Sequence, residues 1–502
     1  MHKISRRSFF GASALTGAGV LAEGLLGGNK TAAAATGKSI RIPETQIPVA
    51  AEAQVVVVGG GPAGFGAAMR AARSGADTIL IERFGGPGGA VTSGYMCVTG
   101  EGGTFPLHTE WVQGLREENW LFDAWKAYPQ LPGNVLVHQS GRWNFYPDDG
   151  AYVMIQMLEK AGVRLLFRTS VVDAVVQDGS IEAVIVENAS GRQAIKGKIF
   201  IDATGRGDVV AQAGAPYKSA GNKQGLPVPF SLMYKISGVD YDKLFEYQKS
   251  DPALWTAIGK ARAAGDIPKG LYMPYQYVMG GGWGGYSGTP QLNMCAMRGN
   301  GEMLVWSFSP YHSGLNPAEN GFDASRGEIE MRKLNIAEVK FLKKYVPGFE
   351  NAYLSGMAPY LALREGRHPQ GEYVLTRDDI LNESKFPDAV LKRTLSDPIV
   401  TDEYRMPRVN EVGELIRLKR PEGSKQQSYT CDIPYRALLP RKINNLLLAG
   451  ESLSCTHEWF YGYRLIPWAM RTGEVAATAA VMAIKQRITA KDVKWTSGYF
   501  TD

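Results

Sequence analysis

The chain has 502 residues, more than one hydrophobic core usually fills, so its length predicts two domains. Its composition is 44% hydrophobic and 21% charged, which is ordinary for a globular protein. A net charge of only +6, without a basic cluster, argues against a nucleic-acid partner.

The first 35 residues have the pattern of a twin-arginine export signal. SRRSFF (5–10) precedes an apolar, glycine-rich stretch (11–26) and then four alanines (32–35), after which cleavage is expected. A short membrane anchor is the alternative, but the stretch is shorter than the ~20 apolar residues that a span needs. We therefore expect a periplasmic or otherwise exported protein, without stable membrane insertion after cleavage. Residues 36–50 are a predicted linker.

The next element is a strand with a glycine-rich turn, VVVVGGGPAG over residues 55–64. The valines predict a strand buried on both faces of a parallel sheet. Gly59 permits a tight turn, Gly61 lets the backbone approach a pyrophosphate, and Gly64 lets the next helix pack against the sheet. The pyrophosphate would lie on the N-terminus of that helix, predicted over 65–74.

A second hydrophobic run, TILI, ends at Glu82 about 20 residues further on. At the tip of its strand, Glu82 is placed to accept hydrogen bonds from a ribose diol. The glycine pattern alone is weak in a chain with 59 glycines, but here strand, helix and acidic residue occur together. The segment therefore predicts a dinucleotide site.

Further elements follow in the chain. A helix is predicted over Asp149–Ala161, because its apolar residues have helical spacing and Gly162 ends it. The predicted strands are Val163–Phe167, Val171–Gln177, Ile181–Glu187, Lys198–Asp202 and a run within 445–450. A small-residue helix is predicted from Pro467 to Lys485.

These patterns divide the chain into two domains. The stretches 51–95, 146–212 and 429–490 predict a discontinuous cofactor-binding domain. The stretches 96–145 and 213–428 predict a substrate or cap domain, because buried parallel runs vanish after residue 213 and aromatic residues become frequent. The predicted fold class is α/β, with a Rossmann-like domain on a parallel sheet plus a mixed α+β substrate domain.

Three segments resemble two-dinucleotide-binding flavoproteins with the glutathione-reductase-like FAD fold: GGGPAG with Glu82, DATGRGD (202–208) and LLLAGES (446–452). GGPGGAVTSG (85–94) and the stretches 363–380 and 433–480 are similar to the broad family of FAD-dependent oxidoreductases, which has exported bacterial members. The resemblance covers most of the chain outside 100–145 and 220–350, implies FAD, and leaves the substrate unspecified. The aromatic HEWFYGYR (457–464) departs from the relatives' smaller residues.

The motifs and the resemblance together imply a set of cofactor-binding residues. Those residues are Gly59, Gly61, Pro62, Ala63, Gly64, Glu82, Arg83, Gly89, Ala203, Thr204, Gly205, Gly450, Glu451, Arg464 and Pro467. The resemblance implies that the helix after Arg464 points its N-terminus at the flavin pyrimidine, where a helix dipole favours the negative charge of reduced flavin.

His457 is the leading catalytic candidate, because it follows a strand end expected beside the flavin. Its near-neutral pKa suits a general acid or base, and Glu458 is a candidate to tune it. The alternatives are a histidine that only hydrogen-bonds the flavin or packs under it, or one that attaches FAD covalently.

Two other groups are catalytic or substrate-binding candidates. Arg364 lies in a charged knot with Glu365, Arg367 and His368, which would bind a substrate anion or form a salt bridge between domains. Tyr461, with Trp459 and Tyr463, would stack on a substrate or form an aromatic wall over the flavin.

The four cysteines are Cys97, Cys295, Cys431 and Cys455, and their wide spacing predicts neither a metal site nor a redox pair. Cys97 is expected to be a buried thiol. The glycine cluster 280–285 follows no buried strand, so the chain has one dinucleotide fingerprint and not two. Electrons would therefore come from a small-molecule substrate and leave to a quinone, a small redox protein or oxygen.

The leading hypothesis is an exported FAD-dependent dehydrogenase or oxidase that acts on a hydroxylated or sugar-like small molecule. The alternatives are a fumarate-reductase-like flavin enzyme that reduces an unsaturated acid, and a flavin-retaining binding protein without turnover.

Replacing both Arg6 and Arg7 with lysine should leave folded, flavin-containing protein in the cytoplasm, because the export route reads the arginine pair. Cell fractionation with flavin fluorescence measures this. Unchanged export of the double variant would contradict the twin-arginine interpretation.

Overall fold

The structure is a computed structural model. The residues that it describes are 40–99, 105–123, 143–221, 227–251, 254–266, 294–299, 301–307, 315–396, 408–409, 415–416, 428–460, 465–495 and 500. The predicted export signal, Tyr461, Tyr463, Arg464 and the glycine cluster 280–285 lie outside the described residues.

The strands are β1 (Val49–Val58), β2 (Thr78–Ile81), β3 (Phe122–Asp123), β4 (Trp143–Asn144), β5 (Arg164–Leu166), β6 (Ser170–Gln177), β7 (Ser180–Asn188), β8 (Gly191–Asp202), β9 (Tyr217–Lys218), β10 (Tyr234–Ser237), β11 (Met294–Ala296), β12 (Met303–Val305), β13 (Tyr353–Met357), β14 (His368–Pro369), β15 (Ala389–Ser396), β16 (Arg408–Val409), β17 (Leu415–Ile416), β18 (Ser428–Pro434) and β19 (Leu446–Leu448). The helices are α1 (Pro62–Arg73), α2 (Pro106–Glu117), α3 (Pro147–Lys160), α4 (Asp208–Gln212), α5 (Tyr241–Gln248), α6 (Trp255–Ala263), α7 (Gly321–Tyr345), α8 (Arg377–Leu381), α9 (His457–Phe460) and α10 (Ile466–Gln486).

The largest sheet is mainly parallel and is built around β1. This strand lies between β2 and β8, parallel to both; β5 extends the sheet beyond β2, and β19 pairs with the end of β8. Val55 and Val57 enter one hydrophobic cluster with α1 and α10, while Val56 and Val58 enter another with β7 and α4. Both faces of β1 are therefore buried, which confirms the predicted parallel strand and the α/β fold class.

The other side of β8 carries an antiparallel hairpin. β6 pairs with β7, and β7 pairs with the first half of β8. Asp178 and Gly179 connect them with φ of 50° and 72°, the left-handed conformation that a two-residue hairpin turn needs. The ends of β5, β6 and β7 agree with their predicted ends to within one residue. β1 differs more: it begins at Val49, inside the predicted linker, because the long β8 offers partners that far back.

A second, antiparallel sheet has the order β11-β12-β10-β13, and α7 packs on it. Its strands are three to five residues long, too short for a readable alternation, so the sequence predicts only a mixed region here. Tyr234 of β10 donates a hydrogen bond to the buried Glu338 of α7 at 2.8 Å. The division of the chain into cofactor and substrate domains stays a prediction. No described helix has both the length and the apolar character needed to cross a bilayer.

Helices α1 and α10 cross with their backbones in direct contact. A Cβ on Gly66 would overlap the carbonyl oxygen of Met470, and one on Gly473 would overlap that of Ala63. Such contacts require glycine on each helix, so α1 is held between the sheet and α10.

Gly473→Ala should lower the free energy of unfolding by roughly 1–3 kcal/mol, because the added methyl must push the two helices apart. Gly259→Ala is the matched control: it is also a helical glycine, nothing lies within 4 Å of its Cβ position, and it should gain up to about 1 kcal/mol. Urea denaturation of the two variants measures the difference, and equal stabilities would contradict the close contact.

Candidate cofactor and active site

The turn between β1 and α1 has room for a ligand at one glycine and for no side chain at two others. Gly59 has φ of 98°, and a Cβ there would overlap the carbonyl oxygen of Ala203. A Cβ on Gly64 would overlap the carbonyl oxygen of Gly59. At Gly61 nothing lies within 4 Å of the Cβ position, so this residue faces open space at the N-terminus of α1. This is the geometry that a pyrophosphate-binding turn needs.

The glycine-rich loop 85–94 lies against this turn. The Gly88 N–H donates to the Gly60 carbonyl at 2.7 Å, and a Cβ on Gly89 would lie 3.1 Å from the Gly61 Cα. Gly89 therefore borders the open space above Gly61, as expected for a cofactor-binding residue.

Glu82 lies at the end of β2 and is 5% exposed. Its carboxylate accepts hydrogen bonds from the backbone N–H groups of Gly60 (2.5 Å) and Phe84 (2.8 Å). An ionised carboxylate has about four acceptor positions, so it has the capacity to accept ribose hydroxyls as well. It faces a cleft whose lining includes Gly59, Arg83, Val171, Thr204, Arg206 and Asp208.

Two guanidinium groups line the same cleft. Burial, together with the positive charge of Arg206, lowers the pKa of Arg83. Arg206 donates to Asp208 at 2.6 Å. An anion bound between the two arginines would relieve their repulsion, so the cleft suits a phosphate-containing ligand. Sequence reasoning missed Arg206 as a lining residue, although it stands within the DATGRGD motif.

A buried carboxylate, Asp202, joins the ends of β8 and β19. Its Oδ1 accepts from the Thr204 N–H at 3.0 Å and from the Ser452 hydroxyl at 3.1 Å, and its Oδ2 accepts from the Val210 N–H at 3.1 Å. Burial raises the pKa of Asp202, and these hydrogen bonds partly counteract it. The motifs DATGRGD and LLLAGES are therefore joined through the carboxylate of Asp202.

The predicted residues after β19 lie at the same edge of the sheet. The Gly450 N–H donates to the Thr472 hydroxyl of α10 at 2.9 Å, and a Glu451 carboxylate oxygen lies 3.1 Å from the Cβ position of Gly205. Pro467 stands in the first turn of α10. The residues described here thus fit a dinucleotide: open space for the diphosphate, a carboxylate for ribose, and cationic groups at the cleft.

His457 is paired with a carboxylate from a distant segment. Its Nδ1 lies 2.7 Å from Oε1 of Glu365, whose side chain is fully buried. Glu365 forms this bond, although it is far from His457 in the chain, and the tuning of His457 by the neighbouring Glu458 stays a prediction. The Thr456 N–H donates to the Leu375 carbonyl at 2.8 Å and fixes the backbone just before the histidine.

Glu365 receives hydrogen bonds from four donors. Besides His457, they are His368 Nε2 (2.6 Å) and the backbone N–H groups of Gly221 (3.1 Å) and Val228 (2.8 Å). Burial alone would raise the pKa of Glu365, but His457 and His368 outweigh it and hold the pKa below its usual range. For His368, burial acts to lower the pKa, yet its contacts with Cys455 and Glu365 raise the pKa to about 9.

Ligand-type atoms of Glu365, His368 and His457 lie within 4.8 Å of one another. Sequence spacing could not reveal this group, because His457 is 92 residues from Glu365. The absence of a metal stays a prediction.

The cluster Glu365–His368–His457 lies at the cofactor edge of the sheet. A Cβ on Gly366 would overlap the Gly205 carbonyl oxygen, so the Glu365 segment contacts the turn after β8. His457 follows the turn after β19. Ligands of open α/β sheets bind beyond the carboxyl ends of the strands, which is where the cluster lies.

The remaining candidates have different surroundings. Arg367 pairs with Asp208 at 3.1 Å and donates to the Arg206 carbonyl at 3.0 Å, which supports the salt-bridge interpretation of the charged knot. Arg364 is half-buried next to Glu365, and its role stays a prediction. Trp459 is fully buried, so it presents no surface to a substrate, contrary to one expectation. Cys97, Cys431 and Cys455 are buried, and none is in a disulfide.

Comparison with known proteins gives a family and distant relatives. The family model for FAD-dependent oxidoreductases matches residues 54–498. An uncharacterized protein from the nifH2 5′ region of Methanosarcina barkeri is 30% identical over 188 residues, which are 34% of this chain and 91% of that protein. A geranylgeranyl bacteriochlorophyll reductase-like structure from Thermoplasma acidophilum has 14% identity and a TM-score of 0.40, covering 87% of this chain and 80% of its own. The p-nitrophenol 4-monooxygenase of Pseudomonas putida has 12% identity and a TM-score of 0.41, covering 88% and 82%. Likenesses this distant bear on neither substrate nor reaction.

Gly61→Val should fold and yet lose the flavin, because its side chain enters open space that the cofactor's diphosphate would occupy. The backbone φ of −63° accepts a side chain without strain. Absorbance near the flavin bands, per protein, measures the loss. Gly259→Val, on the exposed side of α6, should keep the cofactor, and full flavin in Gly61→Val would overturn the assignment of this turn.

Proposed function

We propose a function from one premise: this chain belongs to the family of FAD-dependent oxidoreductases, so it is an enzyme with FAD as its cofactor. Within this family we propose that it oxidises a hydroxylated or sugar-like small molecule as a dehydrogenase or oxidase. The observation that carries the proposal is the hydrogen bond between His457 Nδ1 and the buried Glu365, whose neighbour Gly366 contacts the turn after β8.

Oxidation of an alcohol removes a proton from oxygen and a hydride from carbon, which leaves a carbonyl. FAD, when bound, would supply the hydride acceptor. With the Nδ1–H of His457 donating to Glu365, the acceptor lone pair of the neutral ring is on Nε2, and that atom would take the hydroxyl proton. Glu365 would hold the ring in this tautomer and stabilise the imidazolium that forms.

Burial favours this role for the pair. The His457 side chain is 11% exposed and that of Glu365 is fully buried, so their electrostatic attraction is screened less than at a surface. The backbone N–H groups of Gly221 and Val228 hold the carboxylate in place, so the bond needs little rearrangement when the proton arrives.

We propose an electron acceptor other than NAD, namely a quinone, a small redox protein or oxygen. The support is the single dinucleotide fingerprint together with the arginine pair at Arg6 and Arg7, since an exported enzyme meets little NAD(P)H. Arg364 remains a candidate for holding a substrate anion, and Tyr461 one for stacking on the substrate.

Anaerobic mixing of the holoprotein with primary alcohols and monosaccharides tests the reaction class. Bleaching of the flavin by one of these donors supports the proposal. Re-oxidation of chemically reduced flavin by an enoate such as fumarate, with no donor active, would favour the reductase instead. A flavin inert to both panels would leave a binding protein without turnover.

His457→Ala should slow flavin reduction by about 10²–10⁴-fold, the usual contribution of a positioned acid–base group, while FAD content stays intact. Stopped-flow absorbance per bound flavin measures the rate. Loss of FAD with little change in that rate would make His457 a cofactor-binding residue, and unaltered kinetics and FAD content would make it a core histidine.

A further inference from the structure

One carboxylate oxygen is shared by two histidines. Oε1 of Glu365 accepts from His457 Nδ1 at 2.7 Å, from His368 Nε2 at 2.6 Å and from the Gly221 N–H at 3.1 Å, while Oε2 accepts from the Val228 N–H at 2.8 Å. Both imidazoles therefore compete for the negative charge of the same atom. When one ring is protonated, its positive charge offsets part of the negative charge on this oxygen. The oxygen then stabilises the protonated form of the other ring less.

The second histidine is anchored independently of the first. His368 lies in β14, which pairs with β9 so that His368 is opposite Lys218. The side chain of His368 is 5% exposed. Cys455, two residues before His457, is the other titratable group that acts on His368. Arg367 of the same segment pairs with Asp208 at 3.1 Å and lies 3.9 Å from a carboxylate oxygen of Glu319. The charged groups that act most strongly on Glu365 are the two histidines.

The charge of His368 determines how much of the negative charge of Glu365 acts on His457. The pKa of His368, raised to about 9, keeps that ring protonated at neutral pH, so its charge compensates Glu365. A protonated His368 would then reduce the negative charge that His457 meets at the shared oxygen. A neutral His457 is the form that accepts a proton, and a fully uncompensated carboxylate beside it would keep the ring protonated and inactive.

We infer that His368 is a positioning residue that sets the proton affinity of His457 through the oxygen of Glu365 that they share. The inference extends the proposed function, because it assigns a residue that never touches the substrate a role in keeping the catalytic base available. It also gives the charged knot at 364–368 a purpose that is distinct from binding a substrate anion.

The inference makes predictions of opposite sign for two variants. His368→Gln keeps a hydrogen-bond donor but removes the compensating charge, so the pKa of His457 should rise by about 1–2 units. Glu365→Gln removes the carboxylate, so the pKa of His457 should fall below that of the wild type. His108→Gln is the matched control: His108, on α2, is also buried, but it bonds the carbonyl of Thr99, and the pKa of His457 should not change.

The readout is carbon-13 NMR titration of holoprotein with labelled histidine, in which His457→Ala identifies the resonance among the chain's six histidines. The ascending limb of flavin reduction against pH, measured with the donor that bleaches the flavin, should move in parallel. If His368 were only structural, His368→Gln would lower the FAD content or the melting temperature. The pKa of His457 from NMR and the pKa of the ascending limb of the rate profile would both stay unchanged.

The outcomes distinguish a failure of the inference from a failure of the proposed function. An unmoved His457 resonance in His368→Gln overturns the inference, even if His457→Ala slows the enzyme. If no donor bleaches the flavin, the proposed function is overturned, and the NMR titration of His457 alone then tests the inference. If Glu365→Gln loses its fold, the His368→Gln variant decides. A stoichiometric metal on the three side chains, found by elemental analysis of the holoprotein, would also overturn the inference, because a metal would replace the shared hydrogen bonds.

Discussion

The rest of the structure depends on the close packing of one helix. α1 leaves β1 through a turn in which the backbone at Gly64 touches that at Gly59, and it crosses α10 where Gly473 touches Ala63. No side chain fits at these contacts, so the helix cannot slide or tilt without losing them. Its N-terminus is thereby fixed beyond the end of β1, and the open space at Gly61 lies where the helix dipole favours an anion.

The strand ends around α1 carry two separate groups of polar residues. On one side, Glu82, Arg83 and Arg206 line a cleft suited to the ribose and phosphates of a dinucleotide. On the other, a buried carboxylate holds two imidazoles. The turn after β8 serves both sides, because Thr204 lines the cleft while Gly205 contacts the Glu365 segment. Cofactor binding and proton transfer are thus held by the same rigid sheet edge.

The sequence was informative where structure is local. A strand, a turn and a helix within 55–74 were predictable because each glycine has its own steric task, and the hairpin β6–β7 followed from two strand-like runs joined by a turn at Asp178 and Gly179. Pairing between distant segments was not predictable. Glu365, the partner of His457, is 92 residues away in the chain, and the full burial of Trp459 has no local signature in the sequence. Glu365 and His368 were noticed as charges, but nothing in a linear pattern states that one oxygen serves two rings.

The proposed function requires the cofactor and His457 to meet at this edge of the sheet. A crystal structure of the FAD-bound holoprotein tests it most directly. The account predicts that Nε2 of His457 lies within about 7 Å of the reactive part of the flavin ring, which leaves room for a substrate carbon and oxygen that contact each group at about 3–3.5 Å. A flavin ring that lies far from His457, or a His457 whose Nδ1 no longer bonds Glu365 when FAD is bound, would contradict it.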